Sequence, residues 1–276
     1  RDRIYGSNTV RPGAATLFFV NELGVAVTCK HVAELIPHSQ VIQKKFNELK
    51  QRRNALQKSG SYNRHVKELV KEYGFDTNQS CELLLNFVDC VSPIKELEVT
   101  THPDYDLAII RFKQFEKLHY GSYARFIKDS SVLKQGSYLC RLGFPFPEFT
   151  NYSYSPDSDS INWTSSGVIH TPSFPIDGML TRHLGNAKGI FGIEMSTPGL
   201  RGQSGGPLFN SEGVVCGMQF ATNHLHLGFD MKNQEVISNG EKIRVTNQPL
   251  LHVGYCIHVD VIKKFLSEHG VKYYEA

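Results

Sequence analysis

Gly202-Gln203-Ser204-Gly205-Gly206-Pro207-Leu208-Phe209, GQSGGPLF in one-letter code, is the stretch on which the reading of this chain turns. A serine hydroxyl is a poor nucleophile by itself. It needs a base to take its proton and fixed N–H donors to hold a developing oxyanion. Gly202 can present its amide without a side chain in the way, and Ser204 supplies both the hydroxyl and a second N–H. Gly205 and Gly206 let the chain bend tightly behind the serine, and Pro207-Leu208-Phe209 resume an apolar, strand-like run. Taken alone, the octapeptide also reads as a glycine-rich hairpin turn with an incidental serine.

Partners upstream decide between the two. Thr16-Leu17-Phe18-Phe19-Val20 and Val25-Ala26-Val27-Thr28 read as a hairpin turning at Asn21-Glu22-Leu23-Gly24. It runs into Cys29-Lys30-His31-Val32-Ala33-Glu34, so His31 stands where a strand gives way to a short helical turn. Farther on, His102-Pro103-Asp104-Tyr105-Asp106 precedes the apolar run Leu107-Ala108-Ile109-Ile110. Asp106 adjoins that run and is the better candidate for a carboxylate that orients an imidazole; Asp104 is the alternative. In such a triad the carboxylate fixes the imidazole tautomer and stabilises the imidazolium.

The order histidine, aspartate, serine, together with the glycine turn, resembles the chymotrypsin-like (trypsin-like) serine peptidases, and most closely the HtrA-type (protease Do) branch. GVAVTCKHVAE (24–34) is similar to that family's strand-then-histidine segment, and HPDYDLAIIRF (102–112) to its aspartate strand. GSYLCRLGFPF (136–146) is similar to a family strand and turn, TSSGVI (164–169) to the opening of the second barrel, and GYCIHVDVIKKFL (254–266) to the closing strand and C-terminal helix. The resemblance implies an all-β fold of two packed six-stranded Greek-key barrels. The first barrel, residues 1–135, carries His31 and Asp106; the second, residues 136–276, carries Ser204 and a C-terminal helix with Asp260 as its N-cap. It implies a serine endopeptidase in which Ser204 attacks, His31 is base then acid, Asp106 orients His31, and the amides of Gly202 and Ser204 form the oxyanion hole. No cofactor or metal is implied. HtrA-type relatives often carry a peptide-binding PDZ domain after the peptidase, and none fits after Leu266.

Departures from the family pattern bear on regulation and specificity. The digestive branch has an aspartate directly before the serine; here Gln203 stands there, so no zymogen switch of that kind is implied. The lead-in Thr197-Pro198-Gly199-Leu200-Arg201-Gly202 is longer than the usual short Pro-Gly step. Arg201 is either a substrate contact or a solvated charge. Pro198 lies six residues before Ser204, roughly where the trypsin branch has its pocket aspartate, so selection of Lys or Arg is not expected. Met218, Gln219, Phe220 and Ala221 are expected to form the opposite wall, with Met218 and Phe220 alternating to one face and narrowing the pocket. A small or medium apolar residue before the cut is the expectation.

With 276 residues and a formal charge of +3, the chain is long enough for two barrels sharing a cleft, and its overall charge says little about partners. No apolar stretch is long enough to span a bilayer, and none has the form of a secretory leader. The sequence starts at Arg1 and reads as an excised domain of a larger protein or a processed product. The six cysteines, Cys29, Cys81, Cys90, Cys140, Cys216 and Cys256, mostly fall in apolar strands. They read as free buried thiols of a reduced, cytoplasmic setting, with Cys81–Cys90 the one pair left open to bridging. No CxxC occurs, and His224-x-His226 is the nearest approach to metal-ligand spacing; these histidines read as loop residues.

Between His31 and Asp106 lies a helical insertion at about 38–75, lacking internal proline, with apolar positions Phe46, Leu49, Leu56, Val66, Leu69, Val70 and Tyr73. Asn54, Ser59-Gly60-Ser61 and Asn63 divide it into two helices. Residues 41–72 hold nine Lys and Arg against three Glu, a local charge of +6 that leaves the remainder at −3. The insertion is either a solvated helical hairpin packed on the first barrel or a dock for an acidic protein partner. Nucleic acid is disfavoured, because no aromatics are interleaved with the charges. Residues 223–250 read as a second, polar hairpin insertion beside the cleft.

Two other classes compete with a peptidase. An esterase or lipase also uses Ser, His and Asp, and GQSGG fits its G-x-S-x-G elbow, but there the chain order is Ser, Asp, His. The second is a catalytically silent module that keeps the fold and docks partners through the basic insertion.

Overall fold

Antiparallel strands carry both lobes of the computed structural model, which describes residues 1–56 and 60–276. Lys58 and Ser59, counted above in the basic stretch and the helix break, lie outside the described residues.

In the first lobe, Phe18–Phe19, Val25–Thr28, Ala108–Lys113 and Glu96–Thr101 form one antiparallel sheet in that order. Val91–Ser92 pairs separately with Lys117–Leu118. These six strands enclose a cluster of Phe19, Ala26, Cys90, Val91, Ala108, Ile110 and Phe112. The expected hairpin turn is present. Asn21 Oδ1 accepts from Leu23 N at 2.9 Å, and Val20 N donates to Val25 O at 2.9 Å.

The second lobe is a closed ring of six antiparallel strands. In order they are Pro207–Phe209, Tyr138–Gly143, Phe174–Asn186, Gly189–Met195, Leu250–His258 and Val215–His226, the last pairing again with Pro207–Phe209. Closure leaves no unpaired edge within the ring. The main core joins the lobes: Val25, Val27, Cys29, Leu107 and Ile109 pack with Leu139, Leu180, Ile193, Leu208, Met218 and Ile257.

Helix α1 (Lys30–Ala33) carries His31. The insertion is α2 (Leu35–Ala55) and α3 (Tyr62–Glu72), two helices as the sequence predicts. Pro37 is accepted because it lies in the first turn of α2, where backbone N–H groups lack intrahelical partners anyway. Ile42, Phe46 and Leu49 recur at helical spacing and are buried. Phe46 and Leu49 pack with Val70, Phe75 and Cys81. Burying one such phenylalanine stabilises by about 1.5–3 kcal/mol.

Part of the insertion's positive charge is used within the fold. Arg53 pairs with Asp159 at 2.7 Å, Arg52 pairs with Glu72, and Lys50 donates to Ser160 at 2.7 Å. Asp159 also accepts from the buried Arg3, at 2.9 Å, in a network closed by Glu82 at 2.6 Å from Arg3. Asp159 lies in the turn of a hairpin, Tyr152–Ser155 with Ser160–Trp163.

Three local expectations are corrected. Thr164–Ile169 is loop, not strand. Phe174–Asn186, which the sequence reading left without a strand, is the longest strand of the second lobe; Pro175, Gly178 and Gly185 mask it, and its burial alternates only in part. The C-terminal helix α4 (Val259–Glu268) is capped by His258, whose Nδ1 accepts from Asp260 N at 3.3 Å, so Asp260 sits in the first turn. Residues 223–250 include the expected hairpin, Met231–Ser238 with Glu241–Asn247, almost wholly exposed.

Candidate active site

Strand register brings His31 to Asp106. Val25 faces Arg111 and Thr28 faces Ala108, so continuing the antiparallel ladder two residues sets Lys30 opposite Asp106. At that point Cys29, in extended conformation, N-caps α1, and Val32 N and Ala33 N return to Cys29 O at 3.2 and 3.0 Å. The turn swings His31 over the aspartate.

The Asp106 carboxylate grips His31 twice. Oδ1 accepts from the His31 backbone N–H at 3.0 Å, and Oδ2 lies 2.6 Å from Nδ1. Burial pushes the Asp106 carboxyl up, but the His31 side-chain and backbone hydrogen bonds overcome this and hold it below its ordinary range. An ionised carboxylate only accepts, so Nδ1 carries the proton and Nε2 keeps its lone pair. The same hydrogen bond to Asp106 raises the His31 pKa against the opposing effect of burial. Asp104 is engaged elsewhere, by Lys188 Nζ at 2.5 Å. Of the two aspartates, Asp106 is the one bonded to His31.

The serine loop is laced to the strand that leads to His31. Thr16 N donates to Ser204 O at 3.0 Å, and Thr16 Oγ1 donates to Gly202 O at 2.8 Å. Thr16 O in turn accepts from Thr28 Oγ1 at 2.7 Å, three residues before the histidine. On the other side, Gly205 N donates to Gln219 O at 2.9 Å, and the Cys29 thiol donates to the same carbonyl at 3.3 Å. Gly202 has φ +100°, and a Cβ there would lie 2.4 Å from Phe144 O, so the close approach requires glycine. Neither Gly202 N–H nor Ser204 N–H donates to another group among the described residues. Fixing the Gly202 carbonyl on Thr16 sets the peptide that follows it. Ser204 Oγ makes no hydrogen bond among the described residues in this state, and catalytic contacts of this kind commonly tighten only around substrate.

Gln203 explains how the long lead-in is ordered. Its side chain is wholly buried, Oε1 accepts from Leu200 N at 3.0 Å, and Nε2 donates to Phe174 O at 3.1 Å. A neutral carboxamide satisfies one donor and one acceptor without an ion. Arg201 remains exposed.

The expected pocket residues divide. Pro198 lies in the lead-in, and Ala221 follows on the strand after the serine. Met218 is wholly buried in the main core and Phe220 packs partly against it, so both turn inward. Gln219, between them, turns the other way onto Arg141 at 2.7 Å. Thr16, Arg141 and the side-chain role of Gln219 escaped the sequence reading. One signal was available for Arg141: it shares strand parity with the inward-facing Leu139 and Gly143.

Donor atoms of Cys29, His31 and Asp106 lie within 4.8 Å of one another. Burial pushes the Cys29 thiol well up, and Asp106 already serves His31. A cation there would have to take His31 Nδ1 from its aspartate, so the donor set suits the hydrogen-bonded pair better than a metal. The histidine pair His224 and His252 face each other across neighbouring strands with Nδ1 atoms 2.5 Å apart.

The sequence model of the trypsin-like peptidase domain matches residues 15–218, a span that includes His31, Asp106 and Ser204. No curated protein sequence matches the chain. Among solved structures, the HtrA-type protease AlgW with a decapeptide is 12% identical, with a TM-score of 0.42, covering 93% of this chain and 52% of that one. A second AlgW structure with a decapeptide is 11% identical at TM-score 0.42, covering 93% and 51%. Rv3671c from M. tuberculosis H37Rv, in a mutant, inactive form, is 11% identical at TM-score 0.39, covering 93% and 81%. The chain spans about half the length of the AlgW structures it resembles. With well over half its length matched, from before the histidine to beyond the serine, the chain belongs to the trypsin-like peptidase domain family.

Proposed function

We propose that this chain is a serine endopeptidase in which Ser204 attacks the scissile carbonyl and His31 Nε2 takes its proton. The single observation that carries this reading is the double grip of Asp106 on His31, which leaves Nε2 as the free base. Asp106 stabilises the imidazolium as it forms, and His31 then returns the proton to the leaving amine. The uncommitted amides of Gly202 and Ser204 serve as the oxyanion hole, in a loop tethered by Thr16 and Gln203. A proton moves from Oγ to Nε2 to the amine; no cofactor enters the scheme.

The position six residues before Ser204 is Pro198 and carries no carboxylate, which supports the expectation that Lys and Arg are not the residues cut after. The six cysteines are free, including Cys81 and Cys90, and this supports a reducing, cytoplasmic setting. No helix among the described residues is long and apolar enough to cross a membrane. The exposed Lys44 and Lys45 on α2 keep docking of an acidic protein as a secondary role of the insertion.

A fluorophosphonate probe tests the reading directly. Wild-type protein should be labelled and Ser204→Ala should not. Labelling that persists in the variant removes Ser204 from the mechanism, and an unlabelled wild type favours the silent docking module.

A further inference from the structure

Arg141 is a wholly buried cation with no anion beside it. It sits in Tyr138–Gly143 at 0% exposure. Its Nη1 donates to Gln219 Oε1 at 2.7 Å, and its Nη2 to Thr197 Oγ1 at 2.6 Å, Thr197 O at 2.9 Å and Pro198 O at 3.0 Å. Every one of these acceptors is neutral, and the Nε–H has no partner among the described residues. No carboxylate forms an ion pair with it among the described residues. Desolvation accordingly pushes its pKa down. Buried charges are ordinarily paired, because an unpaired one forfeits its hydration without compensation.

The guanidinium is bonded to Thr197, Pro198 and Gln219, on the two segments that the sequence reading expects to wall the pocket for the side chain that precedes the cut. Thr222 Oγ1 ties these segments, the lead-in to Ser204 and the strand after it, by donating to Gly199 O at 2.8 Å. Gly254 faces Thr222 on the neighbouring strand. A Cβ on Gly254 would lie 2.0 Å from Arg141 Nη1, and one on Gly199 would lie 2.2 Å from Gln219 Nε2. Side chains are missing at both places because Arg141 and Gln219 occupy the space. Gln219 is the cap between pocket and cation: Oε1 rests on Arg141 while Nε2 donates to Ala221 O at 2.5 Å.

We propose that Arg141 makes this a pocket for an acidic side chain, so that the enzyme cleaves after Asp or Glu. The inference rests on the endopeptidase reading above and replaces an apolar preference at that position. The substrate carboxylate displaces Gln219 Oε1 from Nη1 and supplies the missing anion. A neutral acceptor is thereby exchanged for a charged one, which forms the stronger hydrogen bond. Lys and Arg are refused twice, by the absence of a carboxylate and by the presence of a cation. An isosteric Asn or Gln fits the same space without the charge, so the pairs Asp/Asn and Glu/Gln isolate the effect.

The test uses the whole chain, first labelled at Ser204 with a fluorophosphonate and then assayed on fluorogenic peptides differing only in the residue before the cut. The kcat/KM for Asp over Asn, or for Glu over Gln, should be about tenfold or more. Arg141→Met should bring that ratio close to one. Gln219→Ala, which removes the cap and keeps the charge, should retain it and so serves if the first variant does not fold. Equal cleavage of each pair by protein that labels at Ser204 overturns the acidic pocket and leaves the peptidase intact. A preference that survives Arg141→Met, or vanishes in Gln219→Ala, takes the role from Arg141. Wild-type protein that neither labels nor cleaves overturns the peptidase reading and the pocket with it.

Discussion

Thr16 and Ser204 are joined main chain to main chain, Thr16 N–H to Ser204 O at 3.0 Å, while the Thr16 hydroxyl holds Gly202 O at 2.8 Å. One residue of the first lobe thus holds the carbonyls of both residues whose amides form the proposed oxyanion hole. Thr16→Val keeps shape and main-chain bond but loses the hydroxyl. It should cost about 1 kcal/mol of stability and lower kcat by about tenfold, less than the ~10²–10³ lost with an oxyanion donor itself. Thermal melts beside kcat and KM measured separately decide it; a change confined to KM would count against the role assigned.

Replacing His31, Asp106 or Ser204 should each lower kcat by about 10⁴ or more, and pairs should be far from additive because the three act as a unit. Asp106→Asn is the sharpest member of the set. The amide accepts as well as donates, so it no longer holds the proton on Nδ1. Retention of most activity in Asp106→Asn, with normal folding by circular dichroism, would remove the orienting role.

Activity should rise with pH as His31 loses its proton, with an inflection above 6.5, since the bond to Asp106 raises its pKa from that ordinary value. In Asp106→Asn the inflection should fall back. Stability follows the same linkage. The raised His31 contributes stability that is complete below its unfolded pKa and is lost as pH climbs through the folded one. The depressed Asp106 contributes above its unfolded pKa and loses that contribution as pH falls through its folded one. The pair is therefore most stabilising between these two windows. Denaturant titrations of wild type and Asp106→Asn across pH check the sign.

Gln203→Glu should destabilise by about 2–4 kcal/mol at neutral pH, because a buried carboxylate cannot donate to Phe174 O. Its pKa would be raised by burial, so acid should restore much of the loss as the group takes up a proton and donates again. A variant whose melting temperature tracks wild type at every pH would contradict this.

Gly202→Ala forces a side chain into φ +100° and against Phe144 O. The loop must shift, carrying the Gly202 amide away from its position. We expect kcat to drop by about 10²-fold with KM little altered. Active-site titration, which counts competent sites, separates slow turnover from misfolding.

Much of the site was legible because it is local. His31 ends a strand, Asp106 begins one, and Ser204 sits in a glycine turn; each is set by a few neighbouring residues. What was not legible is what depends on distant partners. Arg141 meets Gln219 and Pro198 only after the ring closes, and in sequence it is an ordinary arginine on an alternating strand. Thr16 is one threonine in a polar approach until Gly202 reaches it. Phe174–Asn186 was hidden by Pro175 and two glycines, and the cap on α4 passed from Asp260 to His258 because an imidazole nitrogen reached the amide first. Met218 and Phe220 were placed on one face as alternation requires, but that face is the core.

The closed ring also sets where this molecule can be controlled. From Gly205 onward the chain behind the nucleophile is built into the barrel wall: Gly205 N holds Gln219 O, Gly206 O holds Gln219 N at 2.8 Å, and Pro207–Phe209 is paired on both flanks. Ser204 is therefore an anchored post that cannot retreat unless the barrel opens. The stretch from Thr197 to Gly202 has no such double seam; it hangs on Thr16, Gln203, Thr222 and Arg141. Any throttle on the proposed peptidase has to act ahead of the serine, on the panel from Thr197 to Gly202, while the post stays fixed.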